Sequence, residues 1–405
     1  MYSEDIDSIF RRAIEGPAIF KNKSVLFHDY IPEKLLFREN EIKKLAFSIS
    51  NLLKGYRSSN LFIYGKPGTG KTAVTRYVIK KLIETASRYG KRINYSYVNC
   101  RLAGTEYRII YNISSDIGIS IPFTGLSTEE AFNRVMKKVY VDGLPFLLVL
   151  DEIDSLVTRY GDKLLYMLTR FSQEGRQLPY MIIGISNNLM FKEHLDPRVL
   201  SSLSEDELVF KPYKSNELET IVRDRVAIAF YEGVVEDETI KLVAALSGAE
   251  HGDARKAIDL IRVAGEIAEV SGDNKVTPDH VRRAYSSIGK ERIIDTISSL
   301  PLHSRIIILA LYDLMKNGYN NVRASILYTK YSDYAKNITG AALSYRRFIG
   351  LVTELNILGI LKKSIYNYGR RGGRSSYISM EVPLDLVQNA LSNDPVLEEL
   401  FHQIK

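Results

Sequence analysis

Three short stretches of the chain are almost purely apolar: residues 61–64, 146–150 and 180–185. A strand covered on both faces, as in a parallel sheet, reads as such a run, whereas a half-wet strand alternates. After Pro212 the period changes. Residues 216–231, 237–246 and 253–269 carry apolar positions at three- and four-residue steps, as amphipathic helices do, and residues 73–85 also read as a helix. Thr277-Pro278-Asp279 opens a further helix, expected to end at Ser286 before the polar stretch Gly289-Lys290-Glu291-Arg292, which reads as a linker. Three more helical patterns follow at 304–316, 323–336 and 341–355, the last with a core stripe of Phe348, Ile349, Val352 and Leu355. Strand-like runs 360–366 and 377–380 then flank the turn Tyr368-Gly369-Arg370-Arg371-Gly372-Gly373-Arg374-Ser375 as a hairpin. The expected organisation is an α/β base with a parallel sheet in residues 1–210, a small helical lid in 211–290, and a helix-turn-helix with a hairpin in 291–405.

Composition narrows the setting. With 405 residues, 45% hydrophobic and 25% charged, the chain has the make-up of a globular protein of two or three domains. Cys100 is the single cysteine, so no internal disulfide forms, and no Cys/His group has metal-ligand spacing. Residues 1–30 lack the apolar core of a signal peptide, and no run of about 18 apolar residues suggests a membrane span. The expectation is a reducing, cytoplasmic location with no membrane partner. Net charge is +7, and its distribution is uneven: residues 301–405 carry 13 basic and 8 acidic residues, a net of +5. That concentration is the footprint of a polyanion partner or, more simply, a solvated charged face.

The first apolar run leads into Gly65-Lys66-Pro67-Gly68-Thr69-Gly70-Lys71-Thr72, a complete P-loop. Its glycines let successive backbone N–H groups point at phosphates, Lys71 reaches the β/γ oxygens, and the Thr72 hydroxyl ligates Mg²⁺. Gly68, Thr69, Gly70, Lys71, Thr72 and Ala73 are therefore the candidate cradle for ATP or ADP, at the positive N-terminal end of the following helix. The second run ends in Asp151-Glu152-Ile153-Asp154, a Walker B pattern. Asp151 is placed to hold Mg²⁺ through water and Glu152 to polarise the water that attacks the γ-phosphate.

These two motifs in order resemble AAA+ ATPases, and that resemblance gives later residues roles. Asn187, after the third run in Ser186-Asn187-Asn188, reads either as the polar sensor that helps hold the attacking water or as a cap for the next element. Arg198, in Leu195-Asp196-Pro197-Arg198, reads either as an arginine finger for a neighbouring subunit's nucleotide or as a salt-bridged surface arginine. Arg255, in Gly252-Asp253-Ala254-Arg255, is the candidate second sensor. Tyr213 and Arg225, where lid joins base, flank the adenine and phosphates or serve ordinary packing and surface roles.

The C-terminal pattern of helix-turn-helix plus basic hairpin is that of a winged helix. Ser344, Tyr345, Arg346 and Arg347 open its third helix, suited to the major groove, where arginine reads guanine. Arg370, Arg371 and Arg374 at the wing tip would grip phosphate or the minor groove. A protein-docking use of the same fold is the alternative.

Longer strings sharpen the resemblance: Tyr30-Ile31-Pro32-Glu33, Phe37-Arg38-Glu39-Asn40-Glu41-Ile42, Pro122-Phe123-Thr124-Gly125-Leu126-Ser127, Leu195-Asp196-Pro197-Arg198 and Glu250-His251-Gly252-Asp253-Ala254-Arg255-Lys256-Ala257. With them nearly the whole chain resembles the archaeal origin-recognition initiators, relatives of the eukaryotic origin recognition complex and the cell-division-control factor. The resemblance implies an AAA+ base, a lid and a winged helix, with bound ADP or ATP and Mg²⁺. It also implies recognition of double-stranded origin repeats, action beside related initiators, recruitment of the replicative helicase, and slow hydrolysis used as a switch. In that family an insertion before Walker B contacts DNA; residues 101–123 occupy its place, with Arg101 and Arg108 as candidate contacts. Asn188 departs from the aspartate expected there. The rival functions are an AAA+ winged-helix DNA translocase and a transcriptional regulator stapled by nucleotide.

Overall fold

The computed structural model describes residues 18–28, 30–171, 178–203, 205–250, 252–367, 374–398 and 400–401. It divides into two compact units, Met1–Val281 and Arg282–Lys405.

The first unit is built on helix α1 (Glu39–Ser50), strand β1 (Asn60–Gly65), α2 (Lys71–Arg88), β2 (Asn94–Asn99), α3 (Cys100–Ala103), α4 (Glu106–Asp116), α5 (Thr128–Asp142), β3 (Phe146–Asp151), α6 (Ile153–Tyr160), α7 (Lys163–Phe171), β4 (Tyr180–Ser186), α8 (Pro197–Leu203) and β5 (Glu205–Phe210). The five strands form a parallel sheet in the order β2-β3-β4-β1-β5. The three apolar runs of the sequence are its three central strands, every residue of which is buried. Alternate side chains feed two cores. Phe62, Leu148 and Ile182 pack towards α4 to α8, while Ile63, Val149 and Ile183 pack towards α1 and α2. Gly184 in β4 is required by that packing, because a Cβ there would lie 2.5 Å from the Phe62 ring. Register sets the site: Asp151 pairs with Asn99 on one side and Ile185 on the other, and Tyr64 pairs with Ser186. The carboxyl ends of β1, β3 and β4 thus end level, the place where open α/β sheets bind ligands.

The outer strands β2 and β5 were not visible as apolar runs. Asn94-Tyr95-Ser96-Tyr97-Val98-Asn99 and Glu205-Asp206-Glu207-Leu208-Val209-Phe210 sit at sheet edges and carry the mixed polarity that edges tolerate.

The lid comprises α9 (Ser215–Ala229), α10 (Asp237–Ala249) and α11 (Ala254–Ser271). Residues 18–28 lie on it: Lys21 and Asn22 donate backbone bonds to Ala229, and Phe20 stacks 4.7 Å from Phe230. Gly265 makes room for both rings, since a Cβ would approach them to 2.6 and 2.8 Å.

Helix α12 (Pro278–Ser299) corrects the expected stop at Ser286 and the linker at Gly289 to Arg292, through which it runs unbroken. A single interior glycine costs only about 1 kcal/mol relative to alanine, and Lys290, Glu291 and Arg292 are good helix formers. Ile293, Ile294 and Ile297 beyond them pack into the core of the second unit.

That unit continues through α13 (Leu302–Lys316), β6 (Val322–Arg323), α14 (Ala324–Thr339), α15 (Tyr345–Ile357), β7 (Leu361–Asn367), β8 (Arg374–Met380) and α16 (Leu384–Ser392). Its antiparallel sheet has the order β6-β8-β7, completing a winged helix. The third helix starts at Tyr345 rather than Ala341 because Ser344 caps it, its hydroxyl accepting from the Arg347 N–H. The two-residue β6 is too short to show alternation. Helix α16 did leave a signal, Pro383 ahead of Leu386, Val387, Ala390 and Leu391 at helical spacing.

Candidate nucleotide site and nucleic-acid surface

Gly68 and Gly70 hold left-handed backbone at φ 71° and 92°, and close approach explains why they carry no side chain. A Cβ on Gly68 would lie 1.6 Å from Asp253 Oδ1, and one on Gly70 would lie 3.0 Å from the Tyr213 hydroxyl. Both neighbours belong to the lid side. Asp253 caps α11 by accepting from the Arg255 and Lys256 N–H groups, and the Ala254 N–H bonds Gly68 O at 3.2 Å. Gly252, at φ 68°, lets this loop pass under Tyr213, whose N–H donates to Gly252 O. The P-loop therefore touches the start of α11 directly through Gly68.

Lys71 is only 6% exposed. Its ammonium donates to Gly65 O (2.6 Å), Lys66 O (2.8 Å) and Asn187 Oδ1 (2.8 Å). Burial, followed by the nearby Arg255 charge, lowers its pKa to about 8. Asn187 thus reaches the P-loop lysine, whereas the neighbouring Asn188 side chain closes a local turn, accepting from the Met190 N–H. Thr72 Oγ1 donates to Asp151 Oδ2 at 3.0 Å, and the Tyr97 hydroxyl donates to the same oxygen at 2.6 Å. Burial and the Asp151 charge push the Tyr97 phenol well above its ordinary range. A hydroxyl and a carboxylate converging beside the phosphate cradle form a hard-oxygen donor set that fits Mg²⁺, which takes few protein ligands and completes its shell with water and phosphate.

Glu152 sits at φ 53°, one of two non-glycine residues with positive φ among those described. Its carboxylate is held from the end of β2: Asn99 Nδ2 donates to Oε1 at 3.4 Å, and Arg101 Nη1 lies 3.7 Å from Oε2. Arg101 thus stands beside Glu152, while Arg108 lies with its guanidinium 5.5 Å from the Phe123 ring.

A cleft with about 940 Å³ of empty space, open to solvent, lies between the P-loop and the lid. Tyr30, Pro32, Gly68, Gly70, Thr72, Ala73, Arg76, Tyr213, Arg225 and Arg255 line it. Arg225 is 6% exposed, its guanidinium 4.6 Å from the Tyr30 ring centroid, and its Nε and Nη1 have no hydrogen-bond partner among the described residues. Burial lowers its pKa. Sequence reading gave no role to Arg38, which is buried and cross-braces the site. It donates to Thr69 O (3.0 Å) and Lys211 O (2.7 Å), and its guanidinium stacks 3.8 Å from the Tyr213 ring. Its partners are backbone oxygens and a ring far along the chain, so only its place in Phe37-Arg38-Glu39 hinted at it. Arg198 is not among the cleft residues; its side chain is 81% exposed and forks onto Asp196 with both bonds at 3.1 Å.

On the second unit, Ser344, Tyr345, Arg346 and Arg347 are all exposed at the N-terminal end of α15, while Phe348, Leu351, Val352 and Leu355 bury its other face. Tyr345 packs edge-on to Tyr328 at 5.1 Å. Arg370 and Arg371 lie outside the described residues, as does the side chain of Arg374 at the start of β8. Among the described residues no single helix is long and apolar enough to cross a membrane.

Fold and cleft together define the class: an AAA+ P-loop ATPase with a helical lid, followed by a winged helix. Residues 55–189 match the AAA domain family, residues 219–286 the Cdc6 AAA+ ATPase-type lid domain, and residues 295–390 the CDC6 C-terminal winged helix domain. The chain is 42% identical to ORC1-type DNA replication protein 1 of Sulfurisphaera tokodaii, over 96% of this chain and 97% of that one. It is 40% identical to the ORC1-type DNA replication protein of Pyrococcus abyssi, over 98% and 95%. Among solved structures, the Aeropyrum pernix ORC1 protein in complex with DNA matches with a TM-score of 0.84 and 39% identity, covering 94% of this chain and 99% of that one. The chain belongs to the archaeal ORC1-type DNA replication proteins, the AAA+ initiators of the Orc1/Cdc6 family.

Proposed function

We propose that this initiator is an ATP-controlled switch that recognises repeat elements in double-stranded origin DNA and helps recruit the replicative helicase. The observation that carries the reading is one cleft lined by Gly68, Gly70, Thr72 and the lid arginines Arg225 and Arg255, with Thr72 bonded to Asp151 and the adjacent Lys71 bonded to Asn187 behind it. In this account the P-loop N–H groups and Lys71 hold the β/γ-phosphates, and Thr72 and Asp151 hold Mg²⁺, which neutralises phosphate charge. Glu152 and Asn187 position and polarise the attacking water, and Arg255 couples the γ-phosphate to the lid. Tyr213 and Arg225 flank the adenine and phosphates, and Arg198, paired with Asp196, serves a neighbouring subunit's nucleotide. Glu152 bound to Asn99 and Arg101 is drawn from the water, which suits slow turnover.

DNA binding falls to Ser344, Tyr345, Arg346 and Arg347 in the major groove and Arg370, Arg371 and Arg374 in the wing, with Arg101 and Arg108 as a second surface on the ATPase base. The ORC1 relative from A. pernix, whose structure is a DNA complex, supports the reading. The setting is cytoplasmic, at the nucleoid, beside related initiators.

Nuclease footprinting on genomic fragments, with ATP turnover measured alongside, tests this function. Protection at origin repeats with slow turnover is expected. Sequence-indifferent binding with fast turnover would make the chain a translocase instead, and protection at promoters would make it a regulator.

A further inference from the structure

The winged-helix sheet has two unlike faces. Val322, Leu361 and Ile378 point inward and are fully buried. Because strand side chains alternate, the residues between them point out. Register places them side by side: Arg323 opposite Tyr377, Tyr377 opposite Ser364, and Lys362 opposite Ser379, with Tyr366 two residues beyond Ser364. This outer face holds two cations, two aromatic rings and hydroxyls, and no carboxylate. It is also organised: Arg323 Nε donates to the Tyr377 hydroxyl at 2.8 Å, and the Tyr366 and Tyr377 rings meet edge to face at 5.3 Å. Tyr366 nonetheless remains 51% exposed, although aromatic rings on a sheet gain by burial.

The composition differs from that of a duplex-reading surface. The exposed arginines at the start of α15 suit a groove, whereas an open aromatic ring gains most by stacking on a base whose own faces are uncovered. Paired and stacked bases present only edges. Lys362 and Tyr366 are four residues apart on one strand, about 13 Å, so phosphate and base contacts can be made along one extended strand. We propose that the outer face of the β6-β8-β7 sheet is a binding site for single-stranded DNA, separate from the duplex-binding helix and wing tip. An initiator working where a duplex is opened would use it to hold one released strand.

The test uses the full chain with a fluorescent oligo-dT probe, which has no secondary structure, alongside an origin duplex. Wild type binds oligo-dT with salt-dependent affinity. Tyr366→Ala weakens that binding about 5- to 150-fold, Tyr366→Phe retains it because the ring survives, and Lys362→Ala reduces the salt slope by about one unit. All three keep duplex affinity within about two-fold. The exposed Tyr366 is the primary position because Tyr377 also organises Arg323. The proposal is overturned if wild type fails to bind oligo-dT, if Tyr366→Ala leaves oligo-dT affinity unchanged, if the phenylalanine variant loses as much as the alanine variant, or if duplex binding falls in parallel. Tighter binding of oligo-U than of oligo-dT would overturn the assignment to DNA. Loss of origin footprints in wild type, with the oligo-dT pattern intact, would count against the origin reading alone.

Discussion

Arg225 supplies a prediction with opposite signs in two states. It is buried in the cleft with two guanidinium nitrogens, Nε and Nη1, lacking partners among the described residues. Each unmet buried donor costs about 1–3 kcal/mol. Replacing Arg225 by methionine, of similar length, removes both penalties, about 2–6 kcal/mol, and forfeits the Tyr30 stacking, about 0.5–2 kcal/mol. The nucleotide-free protein should gain stability, by up to about 5 kcal/mol, or a rise of a few degrees per kcal/mol in the unfolding midpoint. Binding changes the other way. If these donors meet acceptors on the nucleotide, the variant loses about 1.5–3 kcal/mol for each charge-assisted bond, so its Kd for ADP rises at least about 10-fold. Thermal unfolding with and without saturating ADP, together with calorimetric titration, reads both quantities. A variant less stable than wild type without nucleotide, or one that binds ADP as tightly, would refute the reasoning.

The remaining expectations concern the phosphate end and the DNA surface. Lys71→Ala should abolish nucleotide binding, whereas Glu152→Gln should retain ATP and stop hydrolysis; turnover at the wild-type rate in the latter would assign water activation to another group. Lys71, with a pKa of about 8 instead of 10.5, must be charged to meet phosphate, so nucleotide affinity should fall as pH rises through 8. The unfolded chain binds the extra proton between pH 8 and 10.5, so the stability of the nucleotide-free protein should rise across that window; flat calorimetric profiles would contradict both. Arg346→Ala or Arg347→Ala should cost about 1–3 kcal/mol on origin duplex and relax preference at one base pair. Arg370→Ala should instead weaken origin and random duplex alike and lower the salt slope by about one unit, as competition titrations at several salt concentrations would show.

What the sequence revealed follows the locality of the physics. The P-loop and the Asp151-Glu152 pair are contiguous strings at the ends of fully buried strands, so both motif and strand were legible. The cross-braces were not. Arg38 works through backbone oxygens of Thr69 and Lys211, which leave no mark on composition. The closeness of Arg101 to Glu152 was equally hidden, because it depends on the Asn99–Asp151 pairing that brings the end of β2 level with Walker B. Helix α12 hid behind Gly289 because local propensity outweighed one glycine, and β6 is visible only once its partner β8 is in place. The alternation that separates the two faces of β7 and β8 was present in the sequence. Its meaning needed the register.

The central claim is that this chain distinguishes origin DNA from other DNA. The most direct measurement is the affinity of the ATP-bound protein for a duplex from its own chromosome's origin against a scrambled duplex of equal length and composition, at one fixed salt concentration. The account predicts a preference of about 10³-fold or more, the lower end for sequence-specific proteins. Equal affinity for the two duplexes would contradict it.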